Sequence, residues 1–555
     1  MVKYFIPVTL KGIRKYLTLL LVTLALQAQG QTSAYNYFYR VYFRDKGENS
    51  VDDYLPSQLL SERALKRREK AGIEALDFRD LPVYNEYISS VSSKGLIIHC
   101  TSKWMNTALF KSSIAVESDL FLSLPFVEDV RLVKSPLIKS DFENKLDFDL
   151  EQTNEVPYDR PVSMLNGYSL HNQGYNGKEI LIAVLDGGFD NAEEISSLAD
   201  LRNRKGILAT YDFISNNTLV YNSNTHGTAV LSTLAGNLPG LIKGTAQGAD
   251  YLLLKTEDTG SEFPCEEDFW AAGAEFADSS GADIISSSLG YSTFDDPSLS
   301  YKYSDLEGNT AFVTVAADIA VSKGILVFNS AGNERNKTWQ KIICPADGDS
   351  VISVGAVDGD NSISDFSSAG PSYDRRIKPD NAAMGVSVPV QTSVTATGRA
   401  NGTSFSCPVL SGMTACLLQA VPEASATDII KVLRESSDRF NSPDSLYGYG
   451  IPDMGAALLR LQDMFTPVPE EMSVAGPNPT TGDFEIIFRE PYESIIVEIF
   501  TASGRLIWKK ESDIFAGRTL RISELQTREQ GLYIVRITTP LTTIVHKIIK
   551  LRDIK

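Results

Sequence analysis

In the stretch RANGTSFSCPVLSG (399–412), Ser404 follows a glycine-threonine pair and opens a run of small and apolar residues with helical character. A hydroxyl there either caps the helix or acts as a nucleophile at the helix's positive end, among backbone N–H groups. A serine nucleophile needs a base, because its hydroxyl is weak at neutral pH. Of the chain's four histidines, His99 and His546 lie in strand-like runs and His171 in a helical stretch, GYSLHNQG. His226 stands apart, in the small-residue context SNTHGTAVLSTLAG where a helix begins. The base in turn needs a carboxylate to fix its tautomer, and Asp186 ends the apolar run KEILIAVLD ahead of Gly187 and Gly188. Asn333, in NSAGNE (329–334), offers an amide donor for a developing oxyanion. Singly, these residues read as a cap, a packed histidine and turn residues. Together they describe acyl transfer through a serine.

The elements that must position them form a rhythm from about 165 to 460. KEILIAVLD (178–186), ADYLLLK (249–255), ADIISSSLG (282–290) and KGILVFNSAGN (323–333) are β-rich runs. Between them lie helical segments such as EDFWAAGAEFADSSG (267–281) and TAFVTVAADIAVSKG (310–324). Apolar strands alternating with helices imply a parallel sheet covered on both faces. Such sheets collect their sites at the carboxyl ends of the strands, where Asp186 and Asn333 fall. From about 34 to 150, strands such as YFYRVYF (37–43) and GLIIHC (95–100) alternate with helices as a small α+β unit. The charged segment 141–161 reads as an exposed linker, and the basic cluster KRREK (66–70) as the solvated face of an amphipathic helix. After about 470 the chain turns all-β, with FEIIF (484–488), SIIVEIF (494–500), GRLIW (504–508), GLYIVRI (531–537) and TIVHKIIKL (543–551), enough for a small β-sandwich.

At 555 residues the chain holds more than one domain, and its net charge of −18 argues against nucleic acid as a partner. Lys3, Lys11, Arg14 and Lys15 precede the apolar run YLTLLLVTLAL (16–26), and Ala28 and Gly30 follow it. That is the pattern of an export signal peptide, too short to span a bilayer comfortably. Five cysteines are few for this length, and no C-x-x-C pair suggests zinc. Cys407 and Cys416 lie roughly 13 Å apart along one predicted helix and cannot pair. Cys265 with Cys344 is the simplest bridge, although sequence does not establish it. The absence of H-E-x-x-H disfavours a metallopeptidase, and G-T-S-F-S in place of G-x-S-x-G disfavours an α/β-hydrolase esterase.

VLDGGFD, NTHGTAV, FNSAGNE and NGTSFSCP occur in the order Asp, His, Asn, Ser, and over about residues 165 to 460 the chain resembles the subtilisin-like serine peptidases. SSSLG (286–290), FSSAGP (366–371), KPD (378–380) and YGYGIPD (447–453) add to the likeness. The resemblance implies an α/β fold, a subtilisin-like parallel sheet flanked by helices, with an N-terminal α+β prodomain and a C-terminal β-sandwich. It implies that Ser404 attacks the scissile carbonyl, that His226 moves the proton and that Asp186 orients His226. Asn333 and the Ser404 N–H would hold the oxyanion; Ser288, Leu289, Gly290, Ala331 and Gly332 would bind substrate. Gly187 replaces the family's usual Ser or Thr, so one hydrogen bond to Asp186 is expected to be missing. Ala229 replaces a second histidine, and Phe405-Ser406 replaces Met-Ala. No cofactor is required; calcium is frequent in this family, but no ligands are assigned here.

The first domain resembles the propeptides of that family, which assist folding and block the cleft until cut; an accessory domain retained in the mature protein is the alternative. The last resembles sorting domains of the type IX secretion route, on PNPTTG (477–482), GLYIVRI and the basic-apolar HKIIKLRDIK, with a substrate-binding sandwich as the alternative. The expected domains are a signal peptide (1–30), a prodomain (31–155), a peptidase domain (156–465) and a sorting domain (466–555). The expected protein is a secreted or cell-surface serine endopeptidase made as a zymogen, exported through the periplasm and across the outer membrane. Its expected partners are protein or peptide substrates, its own propeptide as inhibitor, and the type IX machinery. The rival from another class is a catalytically silent surface-binding protein on the same fold.

Overall fold

Alternation in the first strand decides how the N-terminal region packs. In the computed structural model, which describes residues 36–136, 145, 146, 148, 150, 156–465, 473–488, 494–512, 519–539 and 543–552, that strand is β1 (Tyr37–Phe43). The predicted signal peptide lies outside the described residues. β1 pairs antiparallel with its neighbours in a four-stranded sheet, order β2-β3-β1-β4, with β2 Ile97–Ser102, β3 Thr107–Ser112 and β4 Val127–Lys134. Tyr39, Val41 and Phe43 point to one face, where they share a core with Val91 of the helix Asn85–Ser92 and with Phe121. Phe38 and Tyr42 point to the other and pack into a second, larger core, together with Trp104, Leu109 and Val133.

That larger core belongs to the central sheet. Its strands are β5 (Leu181–Asp186), β6 (Ile207–Asp212), β9 (Asp250–Lys255), β10 (Ile284–Ser287), β11 (Leu326–Ser330), β12 (Ile352–Val357) and β13 (Asn381–Met384). All pairs are parallel, in the order β13-β12-β11-β10-β5-β9-β6. Two antiparallel hairpins lie outside it, β7 (Asn237–Leu238) with β8 (Ile242–Lys243), and β14 (Val388–Gln391) with β15 (Thr397–Ala400). β5 is buried along its whole length, as a strand covered on both faces must be. Leu181, Ala183 and Leu185 face the helices Cys265–Ser280 and Phe312–Ser322. Against β10 to β13 packs the helix Thr403–Ala420, which is buried from Thr403 to Leu418 and so apolar or small all round. β6, β12 and β13 escaped the sequence reading: β6 carries polar residues, β12 mixes apolar residues with Ser353 and Gly355, and β13 is four residues long with two alanines.

The N-terminal sheet docks onto the helix Cys265–Ser280 through buried charge. Arg40 meets Asp268 at 2.6 Å and stacks 3.6 Å above the Phe312 ring. Arg68 joins Asp80 at 2.7 Å and Asp278 at 2.8 Å, and Arg67 also pairs with Asp278. Glu275 accepts from the Ser102 hydroxyl and the N–H groups of Lys103 and Trp104. The KRREK cluster is therefore not a solvated face, since Arg67 and Arg68 are buried. Their guanidinium groups leave water because two carboxylates, those of Asp80 and Asp278, and several carbonyls receive them. All five cysteines are free thiols, so the Cys265–Cys344 bridge is not formed. Both lie fully buried among apolar side chains, and burial pushes both thiols well up.

A division falls between Ala457 and Leu458. The C-terminal unit has two sheets. One has the order β16-β17-β20 (Ser473–Ala475, Phe484–Ile487, Thr519–Ile522), and the other β19-β18-β21-β22 (Leu506–Ser512, Ile495–Thr501, Gly531–Thr538, Thr543–Lys550). Alternate residues of both sheets, among them Phe484, Ile486, Val497, Ile499, Val535 and Ile537, fill one core.

Candidate active site

Asp186 is the last residue of β5, and the helix His226–Ala235 starts at His226. The Asn224 side chain accepts from the His226 N–H at 2.6 Å, which anchors that helix entry. His226 Nδ1 then lies 2.8 Å from Asp186 Oδ1, with both side chains buried. The Gly187 N–H donates to the same oxygen at 2.7 Å, while Asp186 Oδ2 has no partner among the described residues. That orphan oxygen agrees with the bond expected to be missing because Gly187 replaces Ser or Thr.

Ser404 is the second residue of the helix Thr403–Ala420. Gly402 precedes the helix at φ +148°, a backbone shape that L side chains rarely adopt. Four residues on, Pro408 lacks the N–H that would bond to the Ser404 carbonyl. The Ser288 hydroxyl supplies that bond at 2.8 Å, and Ser404 Oγ lies 3.4 Å from the Ser288 carbonyl. Thus the strand end at Ser288 and the helix start at Ser404 are tied in both directions. The structure gives no hydrogen bond between Ser404 Oγ and His226 Nε2, although both line one cleft. The Ser404 N–H, in the helix's first turn, has no backbone acceptor among the described residues.

Asn333 follows β11 by three residues and lines the same cleft. Its Oδ1 accepts from the Thr403 N–H at 2.9 Å and the Thr403 hydroxyl at 3.0 Å, and among the described residues Nδ2 has no acceptor. Ser288, Leu289, Gly290 and Gly332 line the cleft. Ala331 does not: it is buried, its backbone bonded to Val354 and Ile343. His99 and His171 donate through Nε2 to the backbone carbonyls of Phe213 and Thr245, which are structural roles.

The segment 141–161, read from sequence as an exposed linker, contributes to this cleft of about 650 Å³ through Lys145, Leu146 and Phe148. Phe148 stands edge-on to His226 at 5.7 Å and to Phe405 at 5.4 Å. Leu146 Cδ1 occupies the space a Cβ on Gly187 would fill, 2.3 Å from that position. The Lys145 ammonium sits between Glu257, Glu262 and Glu266 at 2.5, 2.6 and 2.7 Å. Sequence reasoning missed all of these residues. Their signal was the alternation of apolar and charged residues in KLDFDL (145–150). The three glutamates are the one group with the ligand spacing of a metal site among the described residues. A lysine ammonium already stands at their centre.

Comparison with known proteins agrees with this geometry. Residues 177–450 match the model of the subtilase family, residues 38–147 a Peptidase S8 propeptide domain of Bacteroidota, and residues 476–551 a secretion system C-terminal sorting domain. Subtilisin E of Bacillus subtilis is 33% identical over 312 residues, covering 55% of this chain and 72% of its own. Subtilisin of Bacillus pumilus is 33% identical over 306 residues, covering 54% and 98%. Among solved structures, fervidolysin of Fervidobacterium pennivorans shares the fold at a TM-score of 0.51 and 18% identity, covering 94% of this chain and 77% of its own. The sorting domain indicates secretion across the outer membrane to the cell surface or beyond. The chain belongs to the subtilase family and is a subtilisin-like serine endopeptidase with a propeptide domain and a C-terminal secretion sorting domain.

Proposed function

We propose that Ser404, His226 and Asp186 form the catalytic triad of this endopeptidase, and that the N-terminal domain keeps it as a zymogen. The observation that carries this reading is the 2.8 Å contact of His226 Nδ1 with buried Asp186, made at the mouth of the helix that presents Ser404. Asp186 holds the proton on Nδ1, so Nε2 is free to act as a base. Ser404 Oγ swings from the Ser288 carbonyl toward Nε2 as a substrate carbonyl enters, such contacts tightening in the loaded site. Oγ bonds to the carbonyl carbon while its proton passes to Nε2, and the oxygen turns anionic between Asn333 Nδ2 and the Ser404 N–H. Collapse expels the amine, which takes the proton from Nε2 and leaves an acyl-enzyme. Water repeats the sequence and frees the carboxyl product.

Leu146 and Phe148 support the zymogen part, because they line the cleft beside Gly187 and His226 and come from the region matched to, or directly following, the propeptide domain. Protein or peptide substrates, and the propeptide as an inhibitor, follow from that arrangement. The test is expression of wild type and Ser404→Ala, read by intact mass and a serine-directed fluorophosphonate. Wild type should lose the N-terminal domain and take up one label, and Ser404→Ala should do neither. A wild type that takes up no label, even after another protease has removed that domain, ends the proposal.

A further inference from the structure

Three carboxylates beside the cleft, two of them buried, share one cation, and that cation lies within the residues matched to the propeptide domain. Lys145 Nζ donates to Glu257 Oε1, Glu262 Oε2 and Glu266 Oε2 at 2.5, 2.6 and 2.7 Å, and to the Ser261 carbonyl at 2.9 Å. Two of the carboxylates are fixed without help from Lys145. Glu257 Oε2 accepts the Tyr291 hydroxyl at 2.8 Å, and Glu266 Oε1 accepts the Asp258 N–H at 3.0 Å. Glu266 and Glu257 are 0% and 3% exposed, whereas Glu262, at 19%, stands at the mouth. The fold also explains their convergence: Glu257 follows β9, the neighbour of the strand bearing Asp186, and Glu266 opens the helix Cys265–Ser280.

We infer that this pocket is a substrate subsite of the proposed peptidase cleft that selects a lysine or arginine side chain. The inference rests on the reading that polypeptide substrates enter this cleft. Leu146 lies against Gly187 and Phe148 against His226, so the segment carrying Lys145 runs past the catalytic pair. A substrate on the same path brings to the pocket the side chain three positions before the one that covers His226. Once the propeptide leaves, three clustered carboxylates face the cleft with no protein cation between them, and a desolvated, fully paired ammonium or guanidinium is what they are arranged to receive. A neutral side chain there would leave the carboxylates uncompensated, which turns charge into selectivity.

The test compares the hexapeptide KLDFDL with QLDFDL on the processed protein, by calorimetric binding and by mapping the cuts it makes in a denatured protein. The lysine peptide is expected to bind at least ~10-fold more tightly. Cut sites are expected to carry Lys or Arg at one fixed position on the N-terminal side. In Glu262→Gln, with its fold checked by melting temperature, the binding contrast should shrink severalfold. Binding requires no hydrolysis, so a protein that cuts nothing can still show the contrast, and the two readings fail separately. Equal binding of the two peptides overturns the subsite. So does a rise in melting temperature with Ca²⁺ that Glu262→Gln abolishes while both peptides bind alike, since the pocket would then be a metal site.

Discussion

Thr403 grips one oxygen of Asn333 twice, from its backbone N–H at 2.9 Å and its hydroxyl at 3.0 Å, and in doing so assigns the other end of the amide to the cleft. The same hydroxyl accepts from the Gly332 N–H at 3.2 Å. The residue before the nucleophile thus sets the rotamer of the proposed oxyanion donor. Thr403→Val, which keeps shape but loses the hydroxyl, should lower kcat by ~10-fold with little change in KM. Thr403→Ser should restore most of it. Steady-state kinetics on one peptide checks both; a KM effect alone would make Thr403 merely structural.

Removing the donor itself should cost more. Asn333→Ala is expected to lower kcat by ~100- to 1,000-fold, a magnitude carried over from subtilisin's own asparagine and not obtained from this geometry. Fluorophosphonate labelling should slow while peptide binding persists.

Asp186 has one oxygen engaged by His226 and Gly187 and the other unpartnered among the described residues. In Asp186→Asn the amide can turn its NH₂ toward Nδ1 and stabilise the wrong tautomer. A fall in kcat of ~10,000-fold is expected, with near-unchanged KM. Retention of more than a tenth of the wild-type rate would show that Asp186 does not orient the base.

Acid should loosen the N-terminal domain. Burial alone would raise the Asp80 carboxyl, but the Arg68 guanidinium, the Asp77 N–H and the Lys323 ammonium hold it well below its ordinary 3.8. A depressed carboxylate contributes stability that is complete above the unfolded value and is lost as pH falls through the folded one. In a Ser404→Ala background, which prevents self-cleavage, Asp80→Asn should therefore cost about 3 kcal/mol at pH 7. The difference in melting temperature from the parent should narrow below about pH 4. A gap of equal size at pH 7 and pH 3 would assign the loss to packing instead of charge.

Much of the site was legible because its residues stand at element boundaries, where local sequence is informative. Asp186 closes an apolar run, His226 and Ser404 each open a helix, and Asn333 follows a strand. Ala331 sits beside Asn333 in sequence, yet it is buried with its backbone bonded to Val354 and Ile343, whereas Gly332 next to it lines the cleft. The cluster at Arg67 and Arg68 looked solvated because charge pattern alone does not reveal carboxylates more than 200 residues away at Asp278.

The sequence by itself determined the kind of chemistry and the order of layers, since strand periodicity, caps and glycines act over a few residues. Only the tertiary structure decided what enters the cleft. KLDFDL reads as part of a charged linker until Glu257, Glu262 and Glu266 surround Lys145, and His226 meets Phe148. A buried charge is stable only where distant partners converge on it, and that convergence is set by the sheet and the helices, not by neighbours along the chain.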